Sequence, residues 1–362
     1  MKDSLENKFP YKPIFFRNSN SADRICLNEL KNSNDIAFIF DEIDRQLNEL
    51  IRCRFPMGVS DSESQSLRKE ILANNTEEDY GVWVYYPWRK TLVHILDEKE
   101  FIEVRTNRNQ LKITKEEHRK LVDKKIGIIG LSVGQSIALT LAMERVCGGL
   151  RLADFDSLDL SNMNRLRTGL FNLSVPKVII AAREIAEIDP YLDVDIYPEG
   201  VQEENFDAFF KGDGGIDLLV EVCDSFDVKI KSRLEARKVQ IPVVMDTNDR
   251  GMLDIERFDL EPERPLFHGL AEGLTLEKLN SLSKEERMGY LMKIVDAANL
   301  SDRMKQSLPE INRTLASWPQ LASEVFLGGA ITTTVCREIL LGKAVKSGRH
   351  YMDIEKLITS EA

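Results

Sequence analysis

The chain has 362 residues, 43% hydrophobic and 30% charged, values of a globular protein that exclude collagen-like and wholly disordered chains. Lys and Arg number 49 against 60 Asp and Glu, and the net charge of −11 lacks the basic footprint of a nucleic-acid or anionic-membrane binder. No run approaches the ~20 apolar residues of a membrane span, the opening MKDSLENKFPYKP has no apolar signal core, and a cytoplasmic address is expected.

Residues 1–100 read as an N-terminal α/β extension. The spacing of Ile36, Ile39, Ile43, Leu47, Leu50 and Ile51 predicts a helix over 35–53. A polar stretch follows, and then 82–88 and 92–96 read as two strands around a turn. From Lys125 the pattern changes. Residues 125–130 form a short apolar run ending in glycine, as a buried parallel strand should. A helix is predicted over 135–145, and a strand over 150–154 with Asp154 at its carboxyl end. A helix over 176–188, opened by Pro176, follows. Strands over 194–197, 217–222 and 241–245 continue the alternation. The pattern predicts a Rossmann-like, doubly wound, mostly parallel α/β sheet, with ligands beyond the carboxyl ends of its strands. Residues 272–320 read as a polar helical insertion with Leu279, Leu291 and Ile294 on apolar faces. A helix opened by Gly328-Gly329 and ending near Leu341, then a strand around 351–354, close the domain. The expected division is 1–100 and 101–362. Within the second domain lie a core at 123–260, the insertion at 272–320 and closing elements at 326–356.

The cysteines, Cys26, Cys53, Cys147, Cys223 and Cys336, are scattered without a CxxC, and the four histidines form no HxxxH or HExxH pair. Neither a disulfide framework nor a zinc site is expected. Gly130 and Gly134 lie in the turn between the first central strand and its helix, where free helix N–H groups and the helix dipole favour phosphate. A tight turn without a ligand has the same pattern. Asp154, 24 residues beyond Gly130, can accept hydrogen bonds from both ribose hydroxyls of NAD or of ATP, or cap a helix. Asn162 and Arg165 come just after it, Lys177 at the first turn of the next helix, and Asp224 beyond the fourth central strand. Each charged residue alone suits a surface ion pair. Placed together on the ligand edge of one sheet, they suit a triphosphate with Mg²⁺, whose charge needs several cations in a dry cleft.

Six stretches carry a resemblance: 105–110 (RTNRNQ), 154–156 (DFD), 161–165 (SNMNR), Pro176-Lys177, 188–190 (IDP) and 223–225 (CDS). With 327–342 and 347–349, they resemble the ThiF/MoeB/HesA family of adenylyltransferases, relatives of ubiquitin-activating enzymes. The resemblance covers 104–356, interrupted by the insertion. It implies ATP-dependent activation of a carboxylate as an acyl-adenylate. In that scheme Asp154 holds the ribose, Asn162, Arg165 and Lys177 contact the phosphates, and Asp224 positions Mg²⁺. Arg108 is then an arginine finger, often supplied by the partner subunit of a homodimer. The implied substrate is a ubiquitin-like protein, a peptide or a small acid. Leu166 stands where the family carries Gln, and no cysteine lies between Cys223 and Cys336, where members carry the thioester-forming residue. Transfer straight to an external nucleophile is therefore expected. Similar bacterial ThiF-domain proteins with such an N-terminal extension are sometimes fused to a nitroreductase-like domain. Two other readings stay open: a nucleotide-binding scaffold, and an NAD-dependent oxidoreductase, for which no His-Asp or Tyr-Lys constellation is visible.

Overall fold

The computed structural model describes residues 8–271 and 273–359. The chain divides into two units, Met1–Glu116 with Ala186–Tyr191, and Glu117–Ile185 with Leu192–Ala362. The first contains β1 (Ile14–Phe16), β2 (Phe38–Asp41), β3 (Val82–Tyr86) and β4 (Thr91–Ile95), with helices α1 (Ser21–Lys31), α2 (Ile43–Arg54), α3 (Asp61–Leu72) and α4 (Glu98–Arg105). Its sheet runs β1-β3-β4-β2, with β2 parallel to β4 and the other pairs antiparallel. The predicted hairpin is β3–β4, turned by Pro87–Arg89. The helix predicted from residue 35 begins only at Ile43. Phe38–Asp41 is an exposed edge strand, because a Phe-Ile-Phe run fits pleated backbone, and the helical spacing across it joined two elements into one. The polar stretch after residue 60 is α3. It opens on a capping box in which Ser60 N donates to Glu63 and Glu63 N donates to the Ser60 hydroxyl.

The second unit contains β5 (Lys125–Ile129), β6 (Gly149–Ala153), β7 (Asp193–Tyr197), β8 (Leu218–Glu221), β9 (Val243–Asp246), β10 (Met252–Glu256) and β11 (Gly348–Tyr351). α5 (Lys115–Leu121) leads into it, and α6 (Leu131–Glu144), α7 (Lys177–Ile188), α8 (Phe206–Lys211) and α9 (Phe226–Lys238) are the crossovers. The order is β7-β6-β5-β8-β9-β10-β11, parallel from β7 to β9. β10 is antiparallel to both its neighbours. The chain leaves β5 toward β6 and β7, then returns to β8 on the other side, so the switch of direction lies between β5 and β8. The doubly wound expectation holds, and the apolar runs that announced β5, β6, β8 and β9 are buried almost end to end.

The insertion is helical as expected, in α10 (Leu276–Ser281), α11 (Lys284–Ile294) and α12 (Asp302–Ser307). Leu279 and Ile294 anchor it in the core beneath the β8–β10 side of the sheet. The closing helix α13 (Ala322–Leu340) starts six residues before Gly328. Gly328 and Gly329 are interior to it, at points where a Cβ would run into Asp246 and Ser136. The last strand is Gly348–Tyr351 rather than 351–354. Asp353 then accepts from the Lys356 N–H and opens α14 (Ile354–Ile358).

Candidate functional site

Between β5 and β8 two connections meet beyond the carboxyl ends of the strands, the place where doubly wound sheets hold ligands. Gly130 makes the approach possible. It has φ of +90°, and a Cβ there would lie 2.8 Å from the Cys223 backbone, so the β5–α6 turn packs directly on the chain leaving β8. Gly134 faces Ile128 and Val222, with room for no Cβ, and lets α6 settle onto the sheet.

The first turn of α6 is tied on both sides. Leu131 N donates to Asp154 Oδ2 at 2.6 Å, and Asp156 N donates to the other Asp154 oxygen at 2.8 Å. Burial pushes the Asp154 carboxyl up, opposed by the Leu131 N–H and by the charge of Lys177. Lys177, buried at the start of α7, donates to Asp156 Oδ2 at 2.8 Å. One residue along α6, Ser132 Oγ accepts from Arg165 Nη2 at 2.9 Å, and Arg165 Nη1 donates to Asn164 Oδ1 at 3.0 Å. Arg165 Nε is buried without a hydrogen-bond partner. Burial pulls this guanidinium below its ordinary pKa, and the charge of Asp224 opposes the fall. A half-buried guanidinium with an unpartnered Nε–H is suited to an anionic ligand.

Beyond β8 the loop is fixed from beneath by a buried charge network. Glu221 is fully buried and accepts from Cys223 N at 2.9 Å, Lys229 Nζ at 3.1 Å and Arg233 Nη1 at 2.6 Å. Burial raises its carboxyl, but Lys229 and Arg233 outweigh that and hold it below the usual range. Arg233 also binds Glu256 and lies 3.8 Å over the Phe267 ring. The exposed Asp224 follows directly on Cys223. Arg165 and Asp224 line one cavity of about 310 Å³, together with Val133 from α6 and Asp246, Asn248 and Asp249 from the end of β9. The insertion supplies its apolar wall, including Met288, Leu291 and Met292 of α11.

The sequence profile of the ThiF family matches residues 106–262. The chain carries a ThiF family domain. It is 44% identical over 277 residues to the uncharacterized protein MT1398 of Mycobacterium tuberculosis, a match covering 76% of this chain and 38% of that protein. To the tRNA threonylcarbamoyladenosine dehydratase of Bacillus subtilis it is 31% identical over 156 residues, 42% of this chain and 60% of the relative. To the molybdopterin-synthase adenylyltransferase of Haemophilus influenzae it is 26% identical over 178 residues, 49% and 70% of the two chains. The chain thus spans less than two thirds of the first two relatives. None of these names lends support to a nitroreductase-like fusion.

Within the ThiF domain the residues singled out in the sequence fall into two adjoining groups joined by the first turn of α6. Asp154, Asp156 and Lys177 lie at the end of β6, and Arg165 and Asp224 in the cavity. Asn162 caps its own short turn by accepting from Asp159 N at 3.0 Å. Arg108 is exposed on the turn Asn107–Asn109 of the other unit. Arg250 is paired with Asp353 at 2.6 Å, bonded to the Asn299 carbonyl and set over Tyr351. Leu166 is buried against Leu158 and Ile180, a core position. Sequence reasoning missed the Glu221–Lys229–Arg233–Glu256 network; in the segment 246–251, which it reads as lying where a substrate carboxylate approaches, it singles out Arg250, for the acceptor tail or a turn salt bridge, and not Asp246 or Asn248. Four charged residues spaced along two strands and a helix look like solvated faces until the fold brings them together.

Proposed function

We propose that this chain is an ATP-dependent adenylyltransferase that activates a carboxylate as an acyl-adenylate and passes the acyl group to an external nucleophile. The observation that carries the reading is the shared cavity at the switch between β5 and β8. There a half-buried Arg165, whose Nε has no hydrogen-bond partner, lines the same space as the exposed Asp224. The name of the Haemophilus relative, an adenylyltransferase, supports the same chemistry.

In this reading the attacking carboxylate oxygen displaces pyrophosphate from the α-phosphate of ATP. Arg165 stabilises the charge that gathers on the phosphoryl oxygens, and Ser132 and Asn164 hold its guanidinium in place. Lys177 is shared with Asp156, so it presents its charge from a fixed position. Asp154 has both oxygens on backbone N–H groups with lone pairs left for ribose hydroxyls. Asn162 remains assigned to the phosphates, with Gly130 and Gly134 shaping the turn beneath them. Asp224 fits Mg²⁺, which is commonly held by one carboxylate plus phosphates and water, and which when bound would neutralise the departing pyrophosphate. Arg108, exposed on its turn, is assigned to the triphosphate of a partner copy in a homodimer. The thiols support direct transfer. Burial pushes those of Cys223 and Cys336 far above their ordinary pKa, which suppresses the thiolate a thioester needs.

Pyrophosphate exchange into ATP, screened over a panel of carboxylates that includes peptide C-termini, tests the reading. Arg165→Ala and Asp224→Ala should each lower exchange by about 100-fold or more. Full exchange in both variants rejects the assignment.

A further inference from the structure

The cavity has a second polar end that the adenylation reading leaves unused. Asp246, 5% exposed, accepts from Asn248 N at 3.0 Å through Oδ1, while its Oδ2 has no hydrogen-bond partner. Asn248, 3% exposed, likewise has an unpartnered side-chain Oδ1. It sits at φ of +65° in a turn where Arg250 also has positive φ, the kind of backbone strain that functional turns retain. Both residues line the cavity. The fold makes room for the carboxylate at a cost to α13, which has glycine at 328 because any Cβ would overlap Asp246 Oδ2.

We propose that this end of the cavity seats a primary amine, its N–H donors received by Asp246 and Asn248, with Asp246 taking the proton that frees the amine to attack. The proposal rests on the adenylation reading for its acyl donor. Two unpartnered acceptors favour a donor-rich ligand, since an aliphatic group would leave both of them unsatisfied. The charged groups around Asp246 favour a cation. Glu324 on α13, Asp249 on the same turn and Asp224 beyond β8 are acidic, and the cationic Lys229 on α9 is committed to Glu221. Arg165 is the opposing charge in this cavity, its terminal nitrogens bonded to the neutral Asn164 and Ser132. The apolar wall of Met288, Leu291, Met292, Val295, Leu300 and Met304 suits the alkyl part of such an amine. Burial, opposed by the Asn248 N–H and aided by Glu324, raises the Asp246 carboxyl to about 7, where a general base works best near neutral pH.

The step balances. An ammonium N–H bond breaks and its proton goes to the Asp246 carboxylate. The freed lone pair forms the N–C bond to the acyl carbon, the carbon–oxygen bond to the phosphate breaks, and its electron pair leaves with AMP. The second N–H proton is lost to the departing phosphate.

The probe is n-hexylamine, titrated calorimetrically into the full chain above neutral pH, with n-hexanol as the apolar control. Hexylamine should bind more tightly than hexanol, and Asp246→Asn and Asn248→Ala should each weaken it by about tenfold or more, the worth of a charge-assisted hydrogen bond. Gly328→Ala, which displaces the carboxylate without removing it, should produce the same loss, so the result does not hang on one variant folding. Equal hexylamine affinity in wild type and Asp246→Asn, or no binding to wild type, overturns the seat and leaves the two acceptors to water. A parallel titration with ATP and Mg²⁺ separates the two ideas. ATP binding without hexylamine binding sinks the amine seat alone, whereas hexylamine binding without ATP binding sinks the adenylation reading.

Discussion

Asp246 holds a nearly buried carboxyl at the cavity wall, with one backbone N–H on one oxygen, no hydrogen-bond partner on the other, and Glu324 as a charged neighbour. An unfolded aspartate titrates near about 3.9, and the folded one is raised to about 7. Between those values the unfolded chain has released the proton and the folded chain retains it, so rising pH favours unfolding. The contribution of the protonated carboxyl is complete below the unfolded pKa and is gone once pH has risen through the folded one. At about 1.4 kcal/mol per pKa unit, wild type should lose a few kcal/mol relative to Asp246→Asn between about pH 4 and pH 7, then run parallel to it. Urea midpoints measured across that window check the slope, and parallel curves throughout would show that Asp246 does not titrate there. The segment 246–251 is visible in the sequence as a ligand-edge loop, but Arg250 stands out in it and Asp246 does not. Arg250 finds its partner in Asp353, 103 positions away, and the solitude of Asp246 depends on what α13 lacks at Gly328. Neither fact is local, so neither is legible before folding. Asp154 and Asp224 are legible because each comes just after a strand's apolar run, and Arg165 because it closes the stretch 161–165 that follows Asp154.

Elements are readable where a single periodicity runs between clear stops. β5, β6, β8 and β9 meet that condition, and so does the β3–β4 hairpin. β2 and α2 do not separate, since Glu42 is the sole residue between Asp41 and Ile43 and the apolar spacing runs through the junction. β10 escapes notice because its Met-Leu-Asp-Ile-Glu carries two acids that are buried only through Arg233, Arg349 and His268. The β5–α6 turn offers a test at this scale. Gly58 and Gly130 share nearly the same φ, +87° and +90°, but Gly58 has nothing within 4 Å while Gly130 abuts the Cys223 backbone. Alanine at Gly58 therefore reports backbone strain alone, on the order of 1 kcal/mol. Alanine at Gly130 must in addition separate two backbones, and should cost about 2–3 kcal/mol and weaken ATP binding by shifting the loop that carries Asp224. Thermal melts of the two variants side by side measure the difference. Equal melting temperatures would mean that the turn does not pack on the β8 loop as described.

For the molecule as a whole, a net charge of −11 works against a polyanionic ligand. Binding ATP must come from local cations in a desolvated place, helped by a divalent ion that brings the total charge down. In the proposed adenylation reading, Arg165 and Lys177 are the cations and Asp224 is the seat of the ion. A ligand that binds only the folded chain stabilises it by an amount set by mass action, about 2.7 kcal/mol at one hundred times its dissociation constant. For a protein of this size that is a rise of a few degrees in melting temperature, on the order of 1–2 °C per kcal/mol. ATP with Mg²⁺ should give this rise, and ATP with EDTA a smaller one. Asp224→Ala should erase the difference between the two, because it removes the seat of the ion and leaves the cations. Arg165→Ala should reduce both, because it removes charge that the triphosphate meets with or without the ion. A Mg²⁺-dependent gain that survives intact in Asp224→Ala would place the ion on other residues, and an equal rise with NAD would move the site toward dinucleotide chemistry.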